Sequence, residues 1–408
     1  MKIAVIGGGA AGFFSAITAK ETFPNAEVTI YEKSAKFLSK VKVSGGGRCN
    51  VTNACYDNKE LSTFYPRGAN FLRKAFEQFN TLSTIEWFKK RGVELEALSD
   101  NCIFPKSNSS QTIIDCFEFE ARKLGVKCVI QTPIISIIPD EHSNFKLITN
   151  GDSISVDRVI YTIGGQPKIT TLEWLTHLKH LIVAPVPSLF TFNMPNESIR
   201  ELMGIVNEST SVRIEKSKWI ADGPLLITHW GMSGPAILKL SAFAARELAE
   251  KEYQFAVLIN WLDQMKEEEL RQILQENKVI HSEKKISNYN PFGLKSRLWI
   301  FLISKSGCIE TTRWKDLQGK LLNRLVNNLI NDRYSVEGKT TFKEEFVTAG
   351  GVDLSLVDVK NMQSKVISGL YFAGEVLNID GVTGGFNFQA AWTTAYIAGK
   401  NVGINKAE

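Results

Sequence analysis

The chain has 408 residues, of which 44% are hydrophobic and 22% are charged, a balance typical of a soluble enzyme with two or three domains. Its net charge of +5 is spread along the chain and forms no concentrated basic stripe, so we expect no nucleic-acid partner. No segment reaches about 18 apolar residues without glycine or charge, so we expect no membrane span.

Cysteine usage points to a reducing compartment. The six cysteines include no C-x-x-C pair and have no metal-ligand spacing with the five histidines. We therefore expect reduced thiols, a cytoplasmic location and no metal site.

The first 32 residues carry the strongest motif. A strand pattern at Lys2–Ile6 leads into a glycine-rich turn, a small-residue helix pattern continues to about Thr22, and a second strand, Val28–Tyr31, ends at Glu32. The glycines permit a tight turn, close approach of a pyrophosphate, and close packing of helix on strand, while the helix N-terminus attracts phosphate. A carboxylate at position 32 is in register to accept hydrogen bonds from an adenosine ribose. The motif predicts a dinucleotide site formed by Gly7, Gly9, Ala10, Ala11, Gly12, Glu32 and Lys33.

A secretory signal is the alternative interpretation of this stretch. Four glycines at its centre, the lack of a convincing cleavage site and its direct continuation into the second strand favour the nucleotide motif.

The next elements alternate helical and strand patterns. Ser44–Asn53 is a second glycine-rich segment that contains a cation, Arg48. Helical patterns follow at 70–79, at 81–90 with Thr81 as a plausible N-cap, and at 110–124 before Gly125. Short β-branched runs at 126–130, 134–138, 145–148 and 158–163 predict an antiparallel meander that returns to a parallel sheet.

The middle third of the chain has a different pattern. Pro185-Val186-Pro187 indicates a boundary, strand-like segments follow, and the period becomes helical between about Asp263 and Asp332. From about Thr348 the small-residue style of the N-terminus returns, with a strand at 369–373 and a helix that opens at Gly384-Gly385. The pattern predicts a discontinuous nucleotide domain around a mixed insert.

Several motifs together resemble one family, the BaiN/YhiN-like FAD flavoproteins. The matching segments are SGGGRCNVTN at 44–53, FPKSN at 104–108, GMSGP at 231–235, TAGGV at 348–352, GLYFAGE at 369–375 and GVTGGFN at 381–387. Members of this family are labelled NAD(P)/FAD-dependent oxidoreductases, bile-acid reductases or aminoacetone oxidases. The chain departs from the family pattern at Cys102, Asn378 and Phe386, where Arg, Asp and Tyr are common.

The resemblance implies an α/β fold: a glutathione-reductase-type, Rossmann-like FAD-binding domain with an inserted β-barrel and a small helical domain. We assign the FAD-binding domain to 1–187 and 346–408, the β-barrel-like substrate domain to 188–262 and 333–345, and the helical subdomain to 263–332.

The resemblance also assigns residues to FAD. The 44–53 loop is expected to line the flavin, with Arg48 near phosphate or the isoalloxazine; the alternative is a turn-rich connection with a surface arginine. Glu375 is expected to reach ribityl hydroxyls, and the helix that begins near Gly384 to aim its N–H groups at the flavin pyrimidine. The predicted cofactor residues beyond the first motif are Ser44, Gly45, Gly46, Gly47, Arg48, Cys49, Asn50, Ile134, Thr162, Gly164, Gly165, Gly374, Glu375, Gly384, Gly385, Phe386 and Asn387.

The predicted function is hydride transfer through FAD between a reduced donor and a small organic substrate. NAD(P)H is expected as a transient donor without its own domain, because no second G-x-G-x-x-G follows Glu32. Two alternatives are a flavin oxidase of a small amine that uses oxygen and a non-catalytic flavin-binding sensor or partner module. The catalytic acid or base is unassigned, with Lys106 and His229 as weak candidates, and the sequence leaves the oligomeric state open.

Overall fold

The chain divides into two compact units. The computed structural model describes residues 1–140, 144–340 and 347–404. Unit 1 contains Met1–Ser188 together with the described residues from 347 onward, and unit 2 runs from Leu189 through residue 340. Our three-part domain division remains a proposal, and its boundary at 345–346 lies outside the described residues.

The elements follow in chain order. The first part of unit 1 contains β1 (Lys2–Ile6), α1 (Ala10–Thr22), β2 (Glu27–Tyr31), α2 (Ser39–Gly47), β3 (Thr52–Asn53), α3 (Asn58–Thr63), α4 (Ala69–Ala75), α5 (Thr81–Lys89), β4 (Leu95–Ala97), β5 (Cys102–Pro105), α6 (Ser110–Leu124), β6 (Lys127–Val129), β7 (Ser136–Pro139), β8 (Phe145–Ile148), β9 (Ser153–Val156), β10 (Arg158–Tyr161), α7 (Glu173–His177) and β11 (Ile182–Ser188). Unit 2 contains β12 (Thr191–Asn193), β13 (Val206–Ile214), β14 (Ile220–Ile227), β15 (Gly231–Ser233), α8 (Pro235–Phe243), α9 (Ala245–Glu250), β16 (Gln254–Asn260), α10 (Glu267–Ile280), α11 (Ser296–Lys305), α12 (Gly319–Ile330), β17 (Asp332–Glu337) and β18 (Lys339–Thr340). The chain then returns to unit 1 with β19 (Val347–Val352), β20 (Leu370–Phe372) and α13 (Phe386–Asn401).

A parallel sheet forms the centre of unit 1. Its strand order is β20-β10-β1-β2-β6, and every neighbouring pair is parallel. Residues 3–6 of β1 are buried, as the apolar run predicts for a strand covered on both faces. An antiparallel meander precedes the return of the chain to the sheet at β10, as the sequence predicts, but its third strand, β9, was not predicted. The predicted run at 126–130 contributes β6, which pairs in parallel with β2 and lies outside the meander. The predicted α/β fold is therefore confirmed.

Two local predictions need correction. The helix predicted at 70–79 ends earlier, since α4 spans Ala69–Ala75. The N-cap of α5 is Asn80 and not Thr81, because the Asn80 side chain accepts the backbone N–H of Ser83 at 3.2 Å.

Helices α1 and α13 pack side by side in the same direction. The Thr394 hydroxyl accepts the backbone N–H of Gly374 at 2.9 Å, and Gly374 lies directly against Ala11 near the start of α1. Further along, Gly399 touches the 15–19 turn of α1. At a rise of about 1.5 Å per residue, α13 begins about 20 Å before this contact and α1 only about 10 Å before it. The start of α13 therefore projects about 10 Å beyond the start of α1.

Unit 2 is built on an antiparallel sheet that closes on itself. Among the described residues its strand order is β17-β16-β13-β14-β15-β12-β18. Strands β17 and β18 are consecutive in the chain, and the segment 332–340 pairs with β16 along its first part and with β12 at its end. Gly338 joins these pairings, since its N–H donates to Tyr253 and its carbonyl accepts from Asn193. The sheet is thus barrel-like, and α10, α11 and α12 are inserted between β16 and β17.

A buried carboxylate links the sheet of unit 2 to its helices. Asp332 is fully buried, and its oxygens accept hydrogen bonds from Trp261 Nε1 at 3.0 Å, Tyr334 Oη at 2.5 Å and Lys305 Nζ at 2.6 Å. The Lys305 ammonium also lies 3.9 Å from the centre of the Tyr334 ring. Burial raises the pKa of Asp332, and the charge of Lys305 opposes that rise. These three donors stabilise the buried charge of Asp332.

We expect Asp332→Ala to lower the free energy of unfolding by about 3–5 kcal/mol, because it leaves the Lys305 charge without its buried partner. Urea unfolding followed by circular dichroism measures this change. Arg333→Ala is the matched control: the adjacent Arg333–Glu215 pair is solvent-exposed and its loss should change stability little. Equal midpoints for the two variants would contradict the assignment.

Candidate functional site

The first glycine-rich turn is held by its neighbours in the sheet. The Thr162 hydroxyl donates to the carbonyl of Ile6 at 2.9 Å and of Gly7 at 3.0 Å. A Cβ at position 12 would lie 1.9 Å from the Gly7 carbonyl oxygen, so only glycine fits there. Helix α1 begins after Gly9 without a side-chain cap, and nothing lies within 4 Å of a Cβ built at Gly9. The first N–H groups of α1, at Ala10 and Ala11, therefore face an open space suited to an anion.

Glu32 is fixed beside this turn. Its Oε2 accepts the backbone N–H of Gly8 at 2.7 Å, and its Oε1 accepts the N–H of Ser34 at 2.8 Å. The segment that includes Ile134 passes next to it, because the N–H of Thr132 donates to the Glu32 carbonyl at 2.9 Å. Lys33 is exposed. The structure thus brings Glu32 and the 129–134 segment together at the carboxyl end of β2.

The 44–53 segment is a loop of unusual backbone. Ser44 is extended, and Gly45, Gly46 and Gly47 have φ values of +56°, +67° and +83°, all in the left-handed region. The spaces beside Gly46 and Gly47 are open, so backbone conformation and not crowding calls for glycine at those two positions. Cys49 also has positive φ and is buried.

This loop meets the start of α13. The Asn50 amide, oriented to satisfy its neighbours, accepts the N–H of Gly385 at 3.1 Å and donates to the Thr52 carbonyl at 2.9 Å. Asn53 donates to the Gly384 carbonyl at 3.0 Å. A Cβ at Gly385, where φ is +90°, would lie 2.4 Å from the Thr52 carbonyl oxygen. The two glycine-rich segments from opposite ends of the chain therefore form one structure.

Side-chain hydrogen bonds and a ring contact fix the loop that leads into α13. The Asn387 amide both accepts from the N–H of Gly381 at 2.8 Å and donates to its carbonyl at 2.9 Å. The Phe386 ring stacks on Phe64 at a centroid distance of 4.4 Å, and the Tyr65 hydroxyl donates to the Phe386 carbonyl at 2.7 Å. Asn387, which the sequence assigns to the cofactor, thus has a structural use within the loop.

An ion pair that the sequence analysis missed holds the same loop. Asp380 is fully buried, is paired with both Nε and NH2 of Arg67, and accepts the Ser188 hydroxyl at 2.7 Å. Burial raises the pKa of Asp380, against the opposing effect of Arg67. The sequence signal for Asp380 was an acidic residue directly before the glycine-rich segment that leads into α13. Its partner Arg67 lies 313 positions away in the sequence, so the pair could not be predicted.

Glu375 lies at the carboxyl end of β20 beside Gly165. Its Oε1 accepts the backbone N–H of Thr348 at 3.0 Å, and its Oε2 accepts Lys40 Nζ at 3.0 Å. Lys40 is a second residue that the sequence analysis did not assign. Thr348 Oγ1 is buried without a hydrogen-bond partner, as is Asn378 Oδ1. Thr348 Oγ1 is therefore an unsatisfied polar atom beside Glu375 and Gly165.

These features fit FAD. The uncapped start of α1 suits a pyrophosphate, Glu32 is placed for a ribose, and Thr348 Oγ1 is an unpartnered polar atom beside Glu375. The start of α13, projecting about 10 Å beyond that of α1, allows one extended dinucleotide to meet both helix ends. The individual residue assignments remain predictions.

The two catalytic candidates lie in different units. Lys106, in unit 1, is exposed and its Nζ pairs with Glu94 at 2.9 Å, which raises its pKa and keeps it charged. His229, in unit 2, is exposed and its ring packs edge-on against Trp230. The environment of Lys106 therefore does not generate a base at neutral pH.

Two absences apply to the part of the chain that the structure describes. No helix there has both the length and the hydropathy to cross a membrane. No cluster of three or more His, Cys, Asp or Glu side chains there has the geometry of a metal site.

Comparison with known proteins confirms the family resemblance. The family described as "HI0933-like protein Rossmann domain" matches residues 1–401. The chain is 27% identical to a ribosomal RNA dihydrouridine synthase of Escherichia coli, over 98% of this chain and 97% of that protein. It is 25% identical to a 3-dehydro-bile acid delta(4,6)-reductase of Clostridium scindens, over 98% of both. A solved 3-ketosteroid-delta4-(5alpha)-dehydrogenase from Rhodococcus jostii shares the fold, with a TM-score of 0.52, 10% identity and coverage of 99% of this chain and 96% of that one.

We expect the Cys49 thiol to be inert. Burial raises its pKa to about 12, so at pH 8 about one molecule in ten thousand carries the thiolate. Alkylation with iodoacetamide followed by mass spectrometry should modify the exposed Cys128 and the partly exposed Cys55 well before Cys49. Equal rates at Cys49 and Cys128 would contradict this prediction.

Replacement of Glu32 tests the ribose assignment. Glu32→Ala removes an acceptor of charge-assisted hydrogen bonds, worth about 1.5–3 kcal/mol, so the Kd for FAD should rise at least about tenfold. Titration by quenching of FAD fluorescence measures it. Glu94→Ala, which removes an exposed carboxylate paired with Lys106, is the control. An unchanged Kd in Glu32→Ala would show that this acid is not in register.

Proposed function

Because this chain belongs to the HI0933-like family and is an FAD-dependent oxidoreductase, we propose that it saturates a carbon–carbon double bond conjugated to a carbonyl group. We further propose NAD(P)H as its electron donor. The observation that carries the proposal is the junction of the 44–53 loop with the start of α13, which provides a preorganised partial positive charge at one end of a dinucleotide site. FAD, when bound, supplies the hydride chemistry.

The names of two relatives support this substrate class. A delta(4,6)-reductase of a 3-dehydro bile acid acts on double bonds that are conjugated with a 3-keto group. Dihydrouridine is uridine whose C5–C6 double bond, conjugated to a ring carbonyl, has been saturated. Both activities therefore add two hydrogens across an electron-poor double bond, although the two molecules differ in every other respect.

The residues of this chain have separable tasks in such a reaction. The α1 N-terminus and Glu32 would bind the pyrophosphate and ribose, and Glu375 would hold ribityl hydroxyls while Lys40 balances its charge. The N–H groups at the start of α13 would stabilise negative charge that develops during reduction. The Arg67–Asp380 pair would keep the loop before α13 in place.

A small organic substrate is our preferred assignment, since the net charge of +5 is spread along the chain. Uridine within ribosomal RNA is a second candidate, favoured by the likeness to the Escherichia coli enzyme over nearly the full length of both chains.

One anaerobic experiment separates these functions. FAD-reconstituted protein is mixed with NADH or NADPH, and loss of the visible flavin absorption is followed. A 3-keto-4,6-diene bile acid, 2-cyclohexenone, uridine and ribosomal RNA are then added in separate arms, and products are identified by mass spectrometry. We expect bleaching by NAD(P)H and recovery of colour with a small conjugated carbonyl.

Other outcomes identify the alternatives. Recovery with ribosomal RNA alone would establish the RNA substrate, and bleaching by small amines alone would support an amine oxidase. The absence of bleaching by any donor would favour a non-catalytic flavin-binding protein. Protein without visible flavin absorption after reconstitution would overturn the cofactor assignment.

We expect ping-pong kinetics. The parallel strand ladders among the described residues lie in unit 1, and unit 2 is built on antiparallel ones, so unit 2 offers no second Rossmann site for a nicotinamide. NAD(P)H and the oxidising substrate should therefore share one position and alternate there. Initial-rate measurements should give parallel lines in double-reciprocal plots, and intersecting lines would indicate a ternary complex.

A further inference from the structure

Arg48 is held rigidly within the 44–53 loop. Its Nε donates to the Gly45 carbonyl at 3.2 Å, and its guanidinium lies over the Phe104 ring, 4.3 Å from the ring centre. Phe104 is itself buried at the end of β5. A planar cation stacked on one face and tethered through one nitrogen has little rotational freedom left to lose on binding a ligand.

The rest of this guanidinium is available. Arg48 is exposed, and across the described ranges neither NH1 nor NH2 has a hydrogen-bond or carboxylate partner. Arg67 and Arg91 differ, because each pairs with a buried carboxylate, Asp380 and Glu120 respectively. The charges of these two arginines are neutralised, whereas NH1 and NH2 of Arg48 are donors without a carboxylate partner among the described residues.

The position of Arg48 relates it to one end of the cofactor site. It is two residues from Asn50, whose amide accepts the N–H of Gly385 at the start of α13. The pyrophosphate position expected at α1 is about 10 Å further along the paired helices. Arg48 therefore belongs to the loop that contacts the start of α13, the helix end that suits the redox-active part of FAD. Gly46 and Gly47, which directly precede Arg48 in sequence, have open space beside them.

Building on the proposed function, we propose that the Arg48 side chain binds the carbonyl oxygen of the conjugated substrate, while the backbone of the same loop serves the cofactor. Hydride addition to the β-carbon forms a C–H bond, breaks the C=C π bond and moves an electron pair onto the carbonyl oxygen. NH1 and NH2 of Arg48 stabilise that enolate oxygen. A proton from water then adds at the α-carbon and restores the carbonyl; the electrons come from NAD(P)H by way of FAD.

The test compares Arg48→Ala, Arg48→Lys and Phe104→Leu with the wild type, and uses Arg73→Ala as the control because Arg73 is another exposed arginine of unit 1. Three quantities are measured: the Kd for FAD, the rate of flavin bleaching by NAD(P)H, and the KM and kcat for 2-cyclohexenone, the bile-acid dienone or uridine. In Arg48→Ala we expect KM to rise and kcat/KM to fall at least about thirtyfold. The Kd for FAD and the bleaching rate at saturating NAD(P)H should stay within about twofold, because reduction of FAD by NAD(P)H forms no enolate oxygen at the shared position.

The remaining variants should lower kcat/KM by intermediate amounts. Arg48→Lys should recover part of kcat/KM, since it keeps the charge without the planar fork, and Phe104→Leu should cause a smaller loss in the same direction. Wild-type kcat/KM in Arg48→Ala would overturn the inference. So would a tenfold weaker FAD affinity, which would make Arg48 a cofactor residue. If NAD(P)H bleaches the wild type but the wild type saturates the double bond of none of the conjugated carbonyl compounds tested, the proposed substrate class is overturned, and this inference with it.

Discussion

The close parallel packing of α1 and α13 determines the candidate site. These helices come from opposite ends of the chain, and Gly399 allows the backbone of one to approach the 15–19 turn of the other. A side chain at position 399 would separate them, because its Cβ would lie 2.5 Å from the Ser15 carbonyl oxygen. Their shared direction points both positive helix ends the same way, with the start of α13 about 10 Å ahead of the start of α1.

Aromatic side chains support this helix pair from one side. The Phe14 ring stacks on Trp87 with centroids 4.4 Å apart, and it also lies 5.4 Å from the Trp392 ring. The Trp392 indole N–H donates to the Val51 carbonyl at 2.9 Å, which ties the core to the 44–53 loop. The packing of these aromatic rings is therefore coupled to the geometry of the 44–53 loop. A substitution that shifts Trp392 would also shift the loop backbone at Val51.

Sequence reasoning found what is local. The β1-α1-β2 unit was predicted with its glycine turn and Glu32, because each of those features depends on residues close in the chain. An antiparallel meander was also predicted from short β-branched runs, of which those at β7 and β8 belong to it, whereas β9 was missed. The limits of α4 and the cap of α5 were less accurate, since a helix end is set by which nearby side chain reaches the free N–H groups.

What sequence reasoning could not find depends on long-range pairing. Arg67 and Asp380 form a buried pair across 313 positions, and Lys40 meets Glu375 across 335. Nothing in the local pattern of either residue names its partner. The same holds for Arg48: the sequence shows a cation in a glycine loop, but only the structure shows that Phe104 orients it and that its outer nitrogens are free of partners among the described residues.

The closure of the unit 2 sheet by residues 332–340 has a consequence for the order of assembly during synthesis. Unit 2 begins at Leu189, and the last strand of its sheet among the described residues ends at residue 340, before β20 and α13 in the chain. The inserted unit can thus complete its hydrogen-bonded ring before the unit that surrounds it in sequence. The parallel sheet of unit 1 receives its edge strand, β20, only afterwards, and the glycine-rich start of α13 follows β20. The contact between the 44–53 loop and the start of α13 therefore forms only after the whole of unit 2 has been made, although the loop itself precedes unit 2 in the chain.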